Sequence, residues 1–321
     1  MLIRTLKSLF ITTCCLCMAF MSHAEDAQQS LIMPLASKSL LLAGTRAGRR
    51  LVVVGEYGDV LLSDDDGDSW RQVVVPTRTM LTGVYFRGPE LGWTVGHDAV
   101  ILRTGDGGEH WEKVFSAPEK EQPLLDVWFR DDQHGYAIGA YGYFLKSSDG
   151  GRTWKEQPLS KDDYHLNRFI IGNSADIYIA GEAGTLYHSP DRGGYWETLD
   201  SPYEGSFFGG QIESDGALLV YGLRGHIFRS TDKGENWKRV ASGTDALLAG
   251  GRVLSDGRSV IVGSAGTVLL SDDQGRHFAL RPQASRESYS DVLEAKGALI
   301  LIGEHGISRL DLPPAGVSAH D

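Results

Sequence analysis

Cysteine is almost absent from this chain, and its few copies are confined to one end. The 321 residues include three cysteines, Cys14, Cys15 and Cys17, and all of them lie within the first 24 residues. From Glu25 onward, the sequence can form neither disulfides nor thiolate metal sites.

Long hydrophobic runs are also missing. The apolar run Leu9–Met21 is too short to cross a bilayer comfortably, and polar residues 25–29 follow it. Arg4 and Lys7 precede the run, and Ser22-His23-Ala24 places small residues where a signal peptidase cleaves. We predict an export signal over residues 1–24, cleaved after Ala24, and a periplasmic product with no transmembrane segment. A retained anchor and a lipoprotein both fit this pattern less well.

Basic residues are scarce relative to acidic ones. The chain has 31 Lys and Arg residues against 42 Asp and Glu residues. Without Arg4 and Lys7, 29 basic residues remain, and the net charge is near −13. Nucleic acid is therefore not expected as a partner, because phosphate binding needs clustered cations.

Two repeated motifs stand out against these absences. The first is the Asp box, Ser/Thr-x-Asp-x-Gly-x-x-Trp/Phe, whose closing aromatic residues are 41 to 43 positions apart. Its six copies contain Asp65, Asp106, Asp149, Asp191, Asp232 and Asp273, and end at Trp70, Trp111, Trp154, Trp196, Trp237 and Phe278. A steady period near 42 is typical of four-stranded propeller blades.

The second motif is a Gly-x-x-Gly turn between two short apolar runs. It occurs seven times, and its copies begin at Gly55, Gly96, Gly139, Gly181, Gly222, Gly263 and Gly303, with Ala99 closing the second copy. In the second repeat the predicted strands are 81–86, 91–95, 100–103 and 111–115. We predict an all-β fold: a single seven-bladed β-propeller of four-stranded blades over residues 25–321.

The seventh unit has no Asp box. Ile307–Leu312 is followed by Pro313 and Pro314. At the other end, Leu31–Ala36 belongs to no complete unit. We predict that this N-terminal segment adds the outer strand of blade seven and closes the ring, which would remove an exposed strand edge.

The Asp boxes are predicted to be structural rather than catalytic. The carboxylate accepts backbone hydrogen bonds, the glycine supplies a left-handed conformation, and the aromatic residue packs beneath the turn. Because the hairpins are spread around the rim, their carboxylates cannot meet at one substrate. We predict no catalytic residues.

The opposite face carries the turns after the second strand of each blade and the connections to the next blade, and we predict that a protein partner binds there. The predicted partner-binding residues are Glu56, Tyr57, His97, Asp98, Tyr141, Glu182, Arg224, Glu304 and His305. Among them Glu304, His305, Glu56, His97 and Asp98 fall on adjacent turns, where they could hold a divalent metal or perform acid–base chemistry. Solvated turn residues explain them more simply. We expect no cofactor or metal, and a monomer.

Enzyme motifs are missing as well. The chain has no Gly-x-Ser-x-Gly, His-Glu-x-x-His or P-loop sequence. A sialidase would need an arginine cluster and a tyrosine nucleophile, for which Arg78, Arg87, Arg130, Arg168, Arg252, Tyr164 and Tyr289 are the candidates. The chain lacks an Arg-Ile-Pro motif and has seven repeats where sialidases have six. A carbohydrate-binding or sialidase-like propeller is therefore the weaker alternative.

The paired motifs resemble a known family. The phrase Pro34-Leu35-Ala36-x-Lys38-Ser39-Leu40-Leu41, the run Leu51-Val-Val-Val-Gly-Glu-x-Gly58 and pairs such as Gly181 to Trp196 are similar to photosystem II stability and assembly factor-like propellers, a branch of the BNR/Asp-box repeat proteins. The resemblance covers essentially residues 25–321.

The resemblance implies a non-enzymatic scaffold or assembly factor that binds an integral membrane subunit in the thylakoid lumen or periplasm. Similar exported propellers occur in bacteria without photosynthesis, where the implied role is as an accessory to an envelope complex or exporter. The plain export signal makes this chain similar to the bacterial type. No family binding residues carry over, because the shared motifs are structural.

Overall fold

The computed structural model describes residues 29–172 and 174–312, and the predicted signal peptide lies outside these residues. The chain enters the first blade after a short 3-10 helix at Ala36–Lys38. The strands of blades one to three are β1 Leu41–Ala47, β2 Arg50–Gly55, β3 Val60–Ser63, β4 Arg71–Val73, β5 Leu81–Phe86, β6 Gly92–Gly96, β7 Ile101–Thr104, β8 Glu112–Phe115, β9 Leu124–Phe129, β10 Gly135–Gly139, β11 Phe144–Ser147 and β12 Lys155–Glu156.

The remaining blades repeat this order. Their strands are β13 Leu166–Ile171, β14 Ile177–Gly181, β15 Leu186–Ser189, β16 Glu197–Thr198, β17 Phe207–Ile212, β18 Leu218–Gly222, β19 Ile227–Ser230, β20 Lys238–Val240, β21 Leu248–Val253, β22 Ser259–Gly263, β23 Val268–Ser271, β24 Ala279–Leu280, β25 Tyr289–Ala295, β26 Ala298–Gly303 and β27 Gly306–Asp311. Short 3-10 turns occupy Glu56–Gly58, His97–Ala99, Ala140–Gly142, Glu182–Gly184 and Leu223–Gly225, and another 3-10 segment is Pro118–Lys120.

Within the described residues the strands form seven antiparallel sheets, each a meander. The first strand of every sheet faces the first strands of its neighbours, as β1 does with β5 and β25. These first strands enclose a central channel. The predicted seven-bladed propeller and its blade phase are confirmed, including the four strands predicted for the second repeat.

The core lies between blades. The second strands are buried on both sides: all five residues of Leu51–Gly55 are buried, for example. Each apolar cluster joins residues of two adjacent blades, so no blade completes its core alone.

The aromatic residue of each Asp box fills the gap toward the preceding blade. Trp111 packs with blade one, Trp154 with blade two and Trp70 with blade seven. Between blades six and seven, Leu310 and Leu312 pack against the cluster instead. Blade seven therefore joins its neighbour without an Asp box.

The ring closes differently from the prediction for the N-terminal segment. In the described part of the chain, the seventh sheet holds β25, β26 and β27, and Leu31–Ala36 adds no strand to it. The segment lies on blade one instead, where Ser30 N–H donates to Val75 O at 2.9 Å and Met33 N–H donates to Gln72 Oε1 at 2.7 Å. These bonds hold the segment on blade one, and the 3-10 helix at its end contacts β27 of blade seven.

Blades seven and one meet through packed inner strands. Gly44 N–H donates to Asp291 Oδ2 at 3.0 Å across this boundary. The ring is therefore closed by side-by-side packing of two sheets rather than by a shared sheet.

Each Asp box contains a local hydrogen-bond network around its carboxylate. In the first, Ser63 Oγ accepts from Gly67 N–H at 2.8 Å and donates to Asp65 Oδ1 at 2.8 Å. Asp65 Oδ1 also accepts Ser69 N–H at 2.9 Å. The Ser69 hydroxyl, together with these bonds, lowers the pKa of Asp65 to about 2.

The other boxes repeat this chemistry. The Thr153 hydroxyl, which donates to Asp149 Oδ2 at 2.7 Å, is the main reason that the pKa of Asp149 falls to about 2. At Asp106 partial burial opposes the shift, but hydrogen bonds from His110 outweigh it, and the pKa is again about 2. The carboxylate oxygens therefore accept hydrogen bonds from groups within their own turns.

These lowered pKa values predict acid lability. A carboxyl with a pKa near 2 in the fold and 3.8 when unfolded stabilises the fold fully above about pH 4. That stability is lost as the pH falls from about 4 toward 2. Urea midpoints measured from pH 7 to pH 2 should drop most steeply in this window.

The variant Asp149→Asn is the matched test. It should have a lower urea midpoint at pH 7 and a shallower decline between pH 4 and pH 2, because one titrating box has been removed. A decline as steep as that of the wild type would contradict a stabilising role for this carboxylate.

Candidate functional site

The two faces of the propeller differ in what they carry. We define the top face as the seven turns between second and third strands together with the connections to the next blade. The turn of a blade packs closely against the connection that leaves it. A Cβ at Gly184, in the turn of blade four, would lie 2.1 Å from Tyr203 O in the next connection, and one at Gly225, in the turn of blade five, would lie 1.9 Å from Thr244 O. The Asp boxes lie on the opposite side, because they join the third and fourth strands at the other end of each antiparallel blade.

Every top-face turn is built around its first glycine. A Cβ there would lie 1.9 to 2.4 Å from the carbonyl oxygen of the residue that leads into, or begins, the innermost strand of the same blade. The seven pairs are Gly55 with Leu40, Gly96 with Met80, Gly139 with Pro123, Gly181 with His165, Gly222 with Ser206, Gly263 with Leu247 and Gly303 with Ser288. That oxygen accepts the N–H of the residue after the glycine at 2.8 to 3.1 Å. The glycine thus makes room for a hydrogen bond.

The third residue of these turns points outward. Tyr57, Asp98, Tyr141 and Arg224 have φ values of 56° to 57°, in the left-handed region. Tyr57 is 64% exposed and Tyr141 is 53% exposed. In these four blades the turn therefore displays one side chain from a hydrogen-bonded backbone.

The predicted glutamates have a role inside their own blades. Glu56 Oε1 accepts Leu40 N–H at 3.0 Å, Glu182 Oε2 accepts His165 N–H at 3.1 Å, and Glu304 Oε1 accepts Ser288 N–H at 2.7 Å. These carboxylates hold the connection that enters the innermost strand. Their predicted contact with a partner stays a prediction, and the outward residues are better placed for it.

The arc of blades seven, one and two brings together no metal-ligating set. Among residues 29–172 and 174–312, no three His, Cys, Asp or Glu side chains are grouped to hold an ion. His305 Nδ1 lies 3.8 Å from Glu304 Oε1, and Asp98 Oδ2 accepts from Thr79 Oγ1 at 3.2 Å. The polar side chains of this arc are thus arranged as separate turns.

Blades three and four form a denser top-face cluster. Tyr141 N–H donates to His165 Nδ1 at 3.1 Å, and the two rings meet edge to face with centroids 4.9 Å apart. The contact orients Tyr141 toward solvent.

The central channel holds two carboxylates that were not predicted from the sequence, next to Arg168 and Arg252, which were named only as candidates for a sialidase site. Asp126 Oδ2 accepts Phe169 N–H at 2.9 Å, and Asp291 accepts Gly44 N–H, so both carboxylates join neighbouring inner strands. Burial raises the pKa of Asp126. Arg168 interacts electrostatically with both carboxylates. Together they line a cavity of about 380 Å³.

One feature of the sequence could have revealed this ring of charge. Asp126, Arg168 and Asp291 all occupy the third position of an innermost strand. A charged residue within an otherwise apolar run marks a wall that faces water or another charge. A charged residue at the same position of several innermost strands therefore indicates a charged channel wall, whereas one such residue alone does not.

The candidate arginines of a sialidase site are dispersed. Arg168 and Arg252 lie in the channel, and Arg252 Nε donates to Val292 O at 3.1 Å. Arg87 pairs with Asp132 at 2.7 Å, and Arg78 Nε donates to Gln29 O at 2.7 Å. The structure does not bring them to one carboxylate-binding cluster.

Across the described residues, none of the helices has the length and apolar character needed to span a bilayer. The fold and its two repeated turns define the class, a seven-bladed propeller with Asp boxes. A profile of the family described as Photosynthesis system II assembly factor YCF48 matches residues 62–123 and 116–278. The chain belongs to this family.

Characterised relatives match shorter stretches. The Photosystem II stability/assembly factor HCF136 of Cyanidioschyzon merolae is 33% identical over 101 residues, which is 30% of this chain and 22% of that protein. The Photosystem II assembly protein Ycf48 of Synechococcus sp. (strain JA-3-3Ab) is 38% identical over 69 residues, 20% of this chain and 21% of that protein. The chain therefore spans about a fifth of the length of these relatives.

Similar solved structures cover most of the chain. YCF48 bound to D1 peptide has a TM-score of 0.71 at 18% identity and covers 88% of this chain and 94% of that chain. Virginiamycin B lyase from Staphylococcus aureus has a TM-score of 0.75 at 12% identity, covering 89% and 99%. At these identities both likenesses show the fold alone, which serves assembly factors and enzymes.

The close approach at the first glycine predicts a steric requirement. Gly263→Ala would place a methyl group against Leu247 O and disrupt the bond that this oxygen accepts from Ser264 N–H, so it should cost about 3 kcal/mol of unfolding free energy.

Gly105→Ala is the matched control, because a Cβ there meets no atom within 4 Å and its φ is not in the left-handed region. It should change the urea unfolding free energy by less than about 0.5 kcal/mol. Equal effects of the two substitutions would contradict the steric account.

Proposed function

We propose that this chain is a non-enzymatic assembly factor that holds a protein subunit of a membrane complex on its top face. The observation that carries the proposal is the display of Tyr57, Tyr141 and Arg224 from blades one, three and five on rigid left-handed turns. Tyrosine and arginine dominate the binding energy of protein interfaces, and rigid turns lose little entropy when they bind.

Family membership supports the same proposal. The family is described as an assembly factor, and its profile matches residues on six of the seven blades. One protein with this fold, YCF48, has been solved bound to a D1 peptide. We infer a partner of the same general kind here, a peptide segment of a membrane subunit.

The channel beneath the turns supplies a second contact of suitable chemistry. A chain segment that reaches into the mouth would meet Arg168, whose five N–H donors suit carboxylate and carbonyl oxygens. Asp126 and Asp291 stay engaged with backbone N–H groups. The displayed side chains would then anchor the segment from above.

Export to the periplasm is part of the proposal. Its support is the sequence of residues 1–24, with two basic residues, an apolar run and a small-residue cleavage site. An exported propeller would meet membrane subunits at their periplasmic segments. We also retain the expectation of a monomer.

A pull-down from envelope extract in detergent tests the proposed face. Wild-type protein should recover a membrane subunit, and a variant with Tyr57, Tyr141 and Arg224 changed to Ala should recover at least about tenfold less. All three side chains are exposed, so the variant should keep the melting temperature of the wild type.

Tyr195→Ala is the control, because Tyr195 is 59% exposed within an Asp box on the other side. It should recover the partner as the wild type does. Equal recovery by wild type and the triple variant would exclude the top-face turns as the binding site.

A further inference from the structure

The segment that precedes the first blade is held in place by paired hydrogen bonds. Ser30 donates its N–H to Val75 O and accepts Val75 N–H on its hydroxyl, both at 2.9 Å. The Gln72 amide accepts Met33 N–H at 2.7 Å and donates to Leu31 O at 2.9 Å. The backbone of the segment is therefore fixed to the outer strand of blade one and the connection after it.

The side chains of this fixed segment point into solvent. Leu31 is 56% exposed, Ile32 57%, Met33 48% and Leu35 72%. We call these four residues the apolar strip. Large apolar side chains that are exposed singly need no explanation, but four within five positions mark an interaction surface.

Two cations flank the strip. Lys38 ends the short 3-10 helix that follows it, and Arg78 Nε donates to Gln29 O at 2.7 Å. Both side chains are exposed, and within residues 29–172 and 174–312 neither pairs with a carboxylate at salt-bridge distance. Both cations therefore lie next to the strip in a chain with a net charge of −11, and the nearby Asp59 is buried and accepts hydrogen bonds from Gln72 and Ser39.

The position of the strip relates it to the top face. A Cβ at Gly58, in the top-face turn of blade one, would lie 3.3 Å from Ser30 Cβ. At its other end, the segment leads to Ser39, whose hydroxyl donates to Asp59 Oδ2 at 2.6 Å just after the same turn. The two ends of the segment thus lie beside the top-face turn of blade one, and the strip between them runs along the outer strand of that blade.

We propose that the apolar strip inserts into the surface of an anionic phospholipid bilayer, with Lys38 and Arg78 facing headgroup phosphates. Apolar side chains next to basic residues are the composition of surfaces that bind at the membrane interface. The proposal rests on the proposed function, because it turns the top face toward the membrane that holds the partner subunit.

The shape of the strip favours a bilayer over a peptide or a second copy. Apolar anchors of protein interfaces enter preformed pockets on the partner, and peptide-binding surfaces are grooves. The strip is the reverse of a groove, since its side chains protrude from a backbone pinned to the blade edge. A fluid acyl phase accepts protruding side chains without a matching pocket.

Flotation with lipid vesicles tests the proposal, using the protein purified with the N-terminus that it carries in the cell. Vesicles of phosphatidylcholine with phosphatidylglycerol should carry the wild type upward in the gradient. Leu35→Glu should weaken this binding by about tenfold or more, because a charge replaces the leucine that would insert into the acyl region of the bilayer. Lys38→Glu should weaken binding to the anionic vesicles, and added salt should weaken the wild type.

Tyr195→Glu is the matched control, a charge placed at an exposed apolar position far from the strip. It should float as the wild type does. Equal melting temperatures of all variants show that folding is unaffected, as expected for such exposed positions.

Several results would overturn the proposal. They are absence of flotation by the wild type, equal flotation by wild type and Leu35→Glu, or loss of a sedimenting dimer on Leu35→Glu with vesicle binding unchanged. Loss of partner capture in detergent by Leu35→Glu with unchanged flotation would identify a protein-docking strip instead. Partner capture by the Tyr57, Tyr141 and Arg224 variant is measured without a bilayer, so the two proposals fail separately.

Discussion

In each of the seven blades, the first glycine of the top-face turn lies against the backbone carbonyl oxygen of the residue before the innermost strand, where a side chain would not fit. The oxygens of residues such as Leu40, Ser206 and Leu247 lie 1.9 to 2.2 Å from where a Cβ would be, and each accepts the next N–H of the turn. This contact fixes the second strand against the start of the innermost strand, opposite a bulge in every blade. Both the wall of the channel and the angle of the displayed residue follow from it.

The opposite rim depends on a second, equally local device. An Asp box satisfies its own carboxylate and hydroxyl, and its aromatic residue completes the core with the preceding blade. The two features act on opposite faces. The Asp box fixes the hairpins of the rim, and the glycine contact fixes the turns of the top face. Blade seven keeps the first device and replaces the second with Leu310 and Leu312. The fold therefore tolerates a missing box but repeats the glycine contact without exception in the residues described.

Periodicity makes the architecture predictable, because both motifs are local and recur in phase. The N-terminal segment was predicted to pair with blade seven, but it is hydrogen-bonded to blade one. The Gln72 amide and the Ser30 hydroxyl determine its position, and neither belongs to a repeated motif. The glutamates are predicted as displayed side chains because sequence cannot show that Glu182 turns back to the His165 N–H. The channel carboxylates Asp126 and Asp291 escape prediction because strands about 40 residues apart in sequence meet only in the closed ring.

The central claim is that the partner meets the top face. In-cell photo-crosslinking tests it most directly, with benzoylphenylalanine placed at Tyr57, Tyr141 or Tyr195, positions that are all more than half exposed. The account predicts a cross-linked membrane subunit from Tyr57 and Tyr141 and none from Tyr195. A cross-link from Tyr195 alone would contradict it and place the partner on the face of the Asp boxes.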